Sequence, residues 1–289
     1  MARLFYPSGT CADAGHAVFV DPATAGWAYA GLRILSLTPG QPVQLYTGAV
    51  EMAVLPLSGG CRVEVEGRRF DLAGRSGVFA AVTDFAYVPI DAEVLLTAST
   101  GVGEIALCTA AATHRIAPYR VPAGDVAVEI RGGGFGTRQI NNFLSAGVND
   151  ADKLIAVEVL TPEGNWSSYP PHKHDETTET EVELEEIYYF RIAGAKGIGF
   201  FTMRSSDGEI ALTEVVRNGD VVLVPRGYHG PAAAAPEHHM YYLNVMAGPG
   251  EPRAWRFCDD PDHAWIRSKL AEYPPDPRLP LTGAAGSSR

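Results

Sequence analysis

"EIYYFRIAG", residues 186–194, is a glutamate, a run of apolar and aromatic residues, and a glycine eight positions on. A run this short, rich in Ile, Tyr and Phe, predicts a β-strand ending at a turn. The same outline stands earlier as "EMAVLPLSG" (51–59). The parallel extends outward: Leu37-Thr38-Pro39 matches Leu160-Thr161-Pro162, and "GRSGVFAAV" (74–82) matches "VRNGDVVLV" (216–224). A plan used twice implies two units of similar topology. Short runs such as "AVFV", "RVEVEG", "LIAVEVL", "GIGFF" and "YYLNVMAG", punctuated by 31 glycines and 21 prolines, predict many short strands curled into barrels. The expected fold is all-β, two tandem β-barrels with few short helices, at residues 1–135 and 136–289. The joint falls near the glycine-rich "IRGGGFGTRQINNF" (130–143). The clearest helix signal is "HAWIRSKLAEY" (263–273), and the tail "LTGAAGSSR" (281–289) reads as frayed.

The length, 289 residues, accommodates two such units, and 46% hydrophobic content supplies their cores. A net charge of −11 argues against a nucleic-acid backbone or an anionic membrane surface as partner. It does not argue against a small anion, since one arginine binds a carboxylate locally. Cys11, Cys61, Cys108 and Cys258 form no CxxC and read as reduced thiols of a cytoplasmic protein. The opening "MARLFYPSGT" lacks the apolar core of a secretory signal, and no run reaches the ~18 apolar residues of a membrane helix.

The two units differ in one place. Eleven residues (40–50) separate Pro39 from Glu51, whereas 23 (163–185) separate Pro162 from Glu186. The excess of twelve equals the length of "HKHDETTETEVE" (172–183), which holds two of the chain's eight histidines. His172 and His174 sit at i and i+2, so on a strand both face one side and Lys173 the other. Glu186 opens the next strand. Its side chain, with Tyr188 and Phe190, can face the same interior. His229 follows "VPRGY" just beyond the strand "DVVLV", at ten residues from Gly219; in the first unit Tyr87 stands ten from Gly77. Three imidazoles and a carboxylate suit one divalent transition ion (Zn, Mn, Fe, Co or Ni) with positions left for substrate. Only the second unit would then carry a site, with Glu51 serving structure.

"HKH", a following glutamate and "GDVVLVPRGYH" (219–229) resemble the two motifs of the cupins, whose β-barrels hold a metal with three histidines and a glutamate. The resemblance implies a bicupin with an empty first barrel. It favours Glu186, which directly precedes the "IYYF" strand, over Glu179, Glu181, Glu183 and Glu185 as fourth ligand. More narrowly, "EGNWSSYPPHKHDE" (163–176), "VPRGYH" (224–229), "YYLNVMAGP" (241–249) and "DPDHAWI" (260–266) resemble the 5-deoxy-glucuronate isomerase family of inositol catabolism. "GPAAAAPEHHMYY" (230–242) departs from that pattern. The resemblance implies an aldose–ketose isomerisation of 5-deoxy-glucuronate to 2-deoxy-5-keto-gluconate. A bound cation would hold the two substrate oxygens and stabilise an enediolate. The alternatives are a ketol-isomerase acting on 4-deoxy-5-hexosulose-uronate from pectin, a metal-dependent cupin dioxygenase, and a non-catalytic binding bicupin.

Candidates for the proton-transferring group are Tyr188, Tyr241 and Glu158. Arg138 and Arg226 are candidates for the substrate carboxylate, Lys173 could reach one from the barrel mouth, and Asn244 is placed to line the barrel. "GGGFG" (132–136) lacks the strand-to-helix setting of a nucleotide loop. A homo-oligomer is expected from exposed strand edges.

Overall fold

The computed structural model describes residues 3–13 and 15–283. Strands dominate. The α-helices among the described residues are Pro22–Ala25 and Trp265–Leu270, the second within the stretch expected to be helical.

The first unit is one strongly bent sheet. Its spine is the strand Val50–Val65, which pairs along its first half with Phe85–Val88 and Gly103–Ala111. Its second half pairs with Arg68–Arg75 and Glu93–Ala98. The register breaks between Gly59 and Cys61. Gly59 has φ +70°, and a Cβ there would lie 2.8 Å from Gly103 Cα, so only glycine lets the strand turn this corner. Ala30–Leu37 and His16–Val20 complete the inner face.

In the second unit the corresponding sheet runs Val221–Val224, Glu185–Ile192, Met240–Ala247, Ile155–Thr161, Arg138–Asn142 and Ala127–Arg131. A facing sheet is built from Ala211–Val216, Gly199–Arg204, Tyr228–Ala234, His172–Lys173 and Cys258–Asp259, with Trp166–Ser167 at its side.

Three apolar cores follow. Leu35, Leu37, Met52, Val54, Val63 and Leu107 fill the first barrel. Ile155, Val157, Phe190, Phe201, Val222 and Met246 line the second. Between them the two inner sheets pack back to back through Ile34, Leu55, Phe85, Cys108, Leu160, Ile187, Tyr189 and Leu243. Strands of these sheets are therefore buried on both faces. This is why "EIYYFRI" is nearly continuous in hydrophobicity rather than alternating.

Several sequence expectations need correction. The sheets change hands earlier than residue 135: Tyr119–Val121 pairs with Phe85–Tyr87 of the first unit, but Ala127–Arg131 already pairs with Arg138–Asn142 of the second. The strand Phe5–Tyr6 likewise crosses over and pairs with Val221 and Val222. Each unit is thus preceded by a short arm that extends the other unit's sheet.

The repeat alignment also slips by one residue. Glu186 lies opposite Val224, and the position opposite the matching Val88 is Met52. Glu51 is therefore the counterpart of Glu185, and a one-residue slip moves it to the other face of the sheet. Tyr87, on the strand before the one that carries His229's counterpart, packs in the seam and donates to Glu51 Oε2 at 2.7 Å.

The tail is fastened at its start. Buried Thr282 accepts from Gln139 at 2.9 Å, and Gly283 O accepts from Val82 N at 2.9 Å; residues 284–289 lie outside the described residues.

Candidate functional site

His172 lies directly opposite His229 in the facing sheet, and His174 follows as that short strand ends. Glu186 projects into the barrel from the inner sheet. The alternation that sends Glu186, Tyr188 and Phe190 inward sends Glu185, Ile187 and Tyr189 to the seam. Glu186 Oε2 is 3.0 Å from His174 Nε2 and 3.0 Å from His229 Nε2. His174, Glu186 and His229 place one donor atom each within 4.8 Å of one another. The His172 ring stands 4.6 Å from the His229 ring, centroid to centroid.

Each imidazole is oriented by its far nitrogen. Nδ1 of His174 donates to Leu184 O at 2.7 Å, Nδ1 of His229 to Gly227 O at 3.0 Å, and Nδ1 of His172 to Pro170 O at 3.2 Å. That leaves Nε2 of His172 and of His229 with its lone pair for the interior, the arrangement metal-binding histidines use, while Nε2 of His174 is bonded to the Glu186 carboxylate at 3.0 Å. His229 Nε2 is buried and has no hydrogen bond, though Glu186 Oε2 lies 3.0 Å away.

Electrostatics agree with this arrangement. Burial, then the neighbouring His229, holds His172 well below the usual imidazole range, so it is a neutral donor. Burial alone would raise the Glu186 carboxyl, but His229 and His174 outweigh it and keep it ionised well below the usual range. His174 is raised, because the hydrogen bond and charge of Glu186 outweigh its burial. Three nitrogens and a carboxylate oxygen, all buried or nearly so and one lacking any partner, fit a divalent metal ion.

The cavity beside these groups is lined by His172, Glu186, Tyr188, Asn244, Arg138, Tyr242 and Ser168, and by Arg131, Trp255, Phe257 and Arg267. Tyr188 and Tyr242 each place a hydroxyl 3.1 Å from Ser168 Oγ. Ser168 has φ +46°, a conformation that L-residues adopt rarely, and it is buried. Burial, and after it Glu186, pushes the Tyr188 phenol well above its usual range, so it stays a donor. Asn244 Nδ2 is buried without a hydrogen bond.

Four of the sequence candidates lie elsewhere. Glu158 and Tyr241 alternate to the seam face of their strands. There Glu158 takes two hydrogen bonds from Arg75 of the first unit, at 2.9 and 2.7 Å, and Tyr241 packs edge-on to Phe79. Arg226 is exposed on the outer rim and pairs with Asp207 and Glu209 at 2.6 and 2.7 Å. Lys173 points away from its flanking histidines and pairs with the buried Glu181 at 2.9 Å. The acidic loop is accordingly a folded strap: Lys173 fastens Glu181, and Asp175 Oδ1 accepts from Gly227 N at 2.8 Å, tying the first histidine segment to the second.

Tyr242 was findable by counting two residues back from Asn244. Ser168, Arg131, Arg267, Trp255 and Phe257 carried no local signal, since they come from loops, the end of a strand and a distant helix.

A family model described as the KduI/IolB family matches residues 4–266. A 5-deoxy-glucuronate isomerase of Geobacillus kaustophilus (strain HTA426) is 42% identical over 275 residues, covering 94% of this chain and 98% of that protein. Another from Halalkalibacterium halodurans is 36% identical over 254 residues, 87% and 92% of the two chains. Among solved structures, an IolB-like protein from Salmonella typhimurium LT2 superposes with a TM-score of 0.85 at 34% identity, over 92% of this chain and 99% of that one. An oxalate decarboxylase of Lactobacillus farciminis reaches 0.65 at 14% identity, over 95% and 97% of the two chains, a likeness of fold alone.

Proposed function

The chain belongs to the KduI/IolB family, and from that premise we propose that it is a 5-deoxy-glucuronate isomerase whose reaction takes place at His172, His174, Glu186 and His229. The observation that carries the reading is the convergence of His174, Glu186 and His229, with the His172 ring against that of His229, beside a cavity lined with hydrogen-bonding groups, in a chain 42% identical to such an isomerase over nearly its whole length. One divalent ion per chain is the expected complement, held by the three Nε2 atoms and the Glu186 carboxylate. When bound, it would supply Lewis acidity toward the two substrate oxygens.

The conversion moves hydrogen, as a proton or as a hydride, from the hydroxyl-bearing carbon next to the aldehyde to the aldehyde carbon. One oxygen loses a proton and the other gains one, so no electron acceptor is consumed. The chain's own groups serve that exchange. Tyr188 Oη, kept protonated by burial and steadied by Ser168, is placed to donate to a substrate oxygen on which negative charge develops. Asn244 Nδ2, unpaired in the cavity wall, supplies a second donor. Trp255 and Phe257 exclude water from the cavity.

The test is NMR of 5-deoxy-glucuronate with the metal-loaded protein, run under anaerobiosis. Ketose signals without oxygen are expected. Turnover only of 4-deoxy-5-hexosulose-uronate, or turnover that requires oxygen, would overturn the reading. In parallel, elemental analysis should find about one ion per chain, falling near zero in His172→Ala/His229→Ala.

A further inference from the structure

We propose that Arg131, Arg138 and Arg267 form a carboxylate-binding site in the wall of this cavity, and that Arg138 makes the protein select an acid over a neutral sugar. The inference rests on the cavity being the reaction site, and it adds which end of the substrate is read and by what.

Arg138 enters the barrel from the strand Arg138–Asn142 and is 6% exposed. The one hydrogen bond its side chain makes among the described residues is from Nη1 to Gly136 O, at 3.1 Å, and no described carboxylate pairs with it. The contrast is Arg75, equally buried, which is held by both oxygens of Glu158. A buried guanidinium without an anion is costly to keep, so its retention points to a ligand that completes it. Two further arginines stand close, and the carboxylate nearby, Glu129, is taken by one of them. Arg131 is its cross-strand partner, and Arg267 reaches the same cavity from the helix Trp265–Leu270. Burial first, and then these two arginines, lower Arg138 to about 10, so at neutral pH it remains a cation.

Arg131 and Arg267 are already occupied, by Glu129 at 2.7 Å and by Asp259. Aromatic faces cover them as well: the Arg131 guanidinium lies 5.3 Å from the Trp255 ring and that of Arg267 5.1 Å from the Phe257 ring. Each of these two is therefore balanced by its own carboxylate, which leaves Arg138, with N–H groups to spare, as the one uncompensated cation of the three. In a chain of net charge −11, such a local field draws a small anion in. The planar fork of a guanidinium matches the two oxygens of a carboxylate.

The glycine loop that resembled no nucleotide site builds this wall. Gly132 has φ +87°, and a Cβ there would lie 2.2 Å from Gly136 O and 3.0 Å from Arg138 Nη1. A Cβ on Gly133 would lie 2.2 Å from Leu270 O, so its absence lets the helix that carries Arg267 settle against the loop. "GGGFG" thus joins Arg131, Arg138 and Arg267 by close backbone approach.

The experiment is calorimetry on metal-free protein, where a ligand cannot bind through the ion, with D-glucarate, D-sorbitol and inorganic phosphate as probes. Glucarate should bind and sorbitol should not. Arg138→Met should weaken glucarate by about ten- to a hundredfold, Arg138→Lys less, and Arg226→Met not at all. Arg138→Met should also melt at an equal or higher temperature, because it removes an uncompensated buried charge; a purely structural arginine would give a loss. In metal-loaded protein the same variant should raise KM for 5-deoxy-glucuronate more than it lowers kcat. Unchanged glucarate binding in Arg138→Met, or tighter Arg138-dependent binding of phosphate than of glucarate, would overturn the proposal. Normal KM in that variant sinks the carboxylate site and leaves the isomerase standing. Arg138-dependent glucarate binding without any turnover does the reverse.

Discussion

Arg75 and Glu158 meet across the seam with both side chains fully buried, at 2.9 and 2.7 Å. Glu158 takes a third hydrogen bond from Asn141 at 2.7 Å, while Arg75 donates further to Pro56 O and Ala81 O at 3.2 and 3.0 Å. Replacing Glu158 alone, as Glu158→Leu, leaves a guanidinium enclosed without a counter-charge, a lesion that costs about 3–5 kcal/mol. Against a typical total of about 5–15 kcal/mol, that is a large share. The paired replacement Arg75→Met/Glu158→Leu removes both charges at similar volume and should recover most of the loss. Urea unfolding followed by tryptophan fluorescence measures both. The same proteins separate structure from catalysis, because Glu158 faces the seam and the histidines face the barrel. The double variant should therefore retain kcat. A folded double variant whose kcat falls by roughly 10²–10⁴-fold, the range of a lost general base, would refute the assignment of Glu158 to the seam. A single variant as stable as the parent would refute the electrostatic argument.

Lys173→Met should leave KM for the sugar acid unchanged, since its ammonium is committed to Glu181. It should lower unfolding free energy by about 1–3 kcal/mol, read from the same urea titration. Asp276 is held down at about 2, chiefly by its hydrogen bond to Arg278 and against the effect of burial. A depressed carboxylate stabilises the fold above its unfolded pKa of roughly 3.9 and loses that contribution as pH falls toward the folded value. Asp276→Asn should therefore flatten the fall of stability between about pH 4 and 2 in thermal melts, and an unaltered acid limb would contradict this. The cavity beside the histidines is small, about 30 Å³, so a six-carbon acid needs the wall at Trp255 and Phe257 to yield. Amide exchange there should be measurable in free protein and slow on glucarate binding, whereas identical exchange would indicate another way in.

The duplicated architecture and the nearness of His172, His174, Glu186 and His229 were legible because each rests on local pattern. Alternation put Glu186 and Tyr188 on one face, and the spacing of His172 and His174 put both on another. What was not legible depended on registers and faces that sequence leaves free. Glu51 and Glu186 share a motif outline, yet pairing with Val88 and Val224 shows them offset by one residue and on opposite faces. Tyr241 and Glu158 sat on convincing strands, but a strand buried on both sides gives no polar face by which to tell barrel from seam. Arg226 lay inside the strongest motif and still points outward. Arg267 lay in a distant helix and comes in, because glycines at 133 and 136 let that helix approach.

Glu185 accepts hydrogen bonds from the backbone N–H groups of Ala28, Tyr29 and Ala30, at 2.7 to 2.8 Å, where the chain enters the first unit's sheet. Its counterpart Glu51 accepts from those of Asp152, Lys153 and Leu154, at 2.6 to 2.8 Å, where the chain enters the second. One contact made in both directions has the symmetry of a two-fold dimer, here folded into a single polypeptide. Such reciprocity limits how the halves can diverge. A change at either glutamate is felt in the opposite half, so the shared surface binds both copies to one design. The barrel interiors face away from that surface and carry no such obligation. That is where the copies have parted: Glu186 stands among histidines in one, and Met52 among leucines and valines in the other.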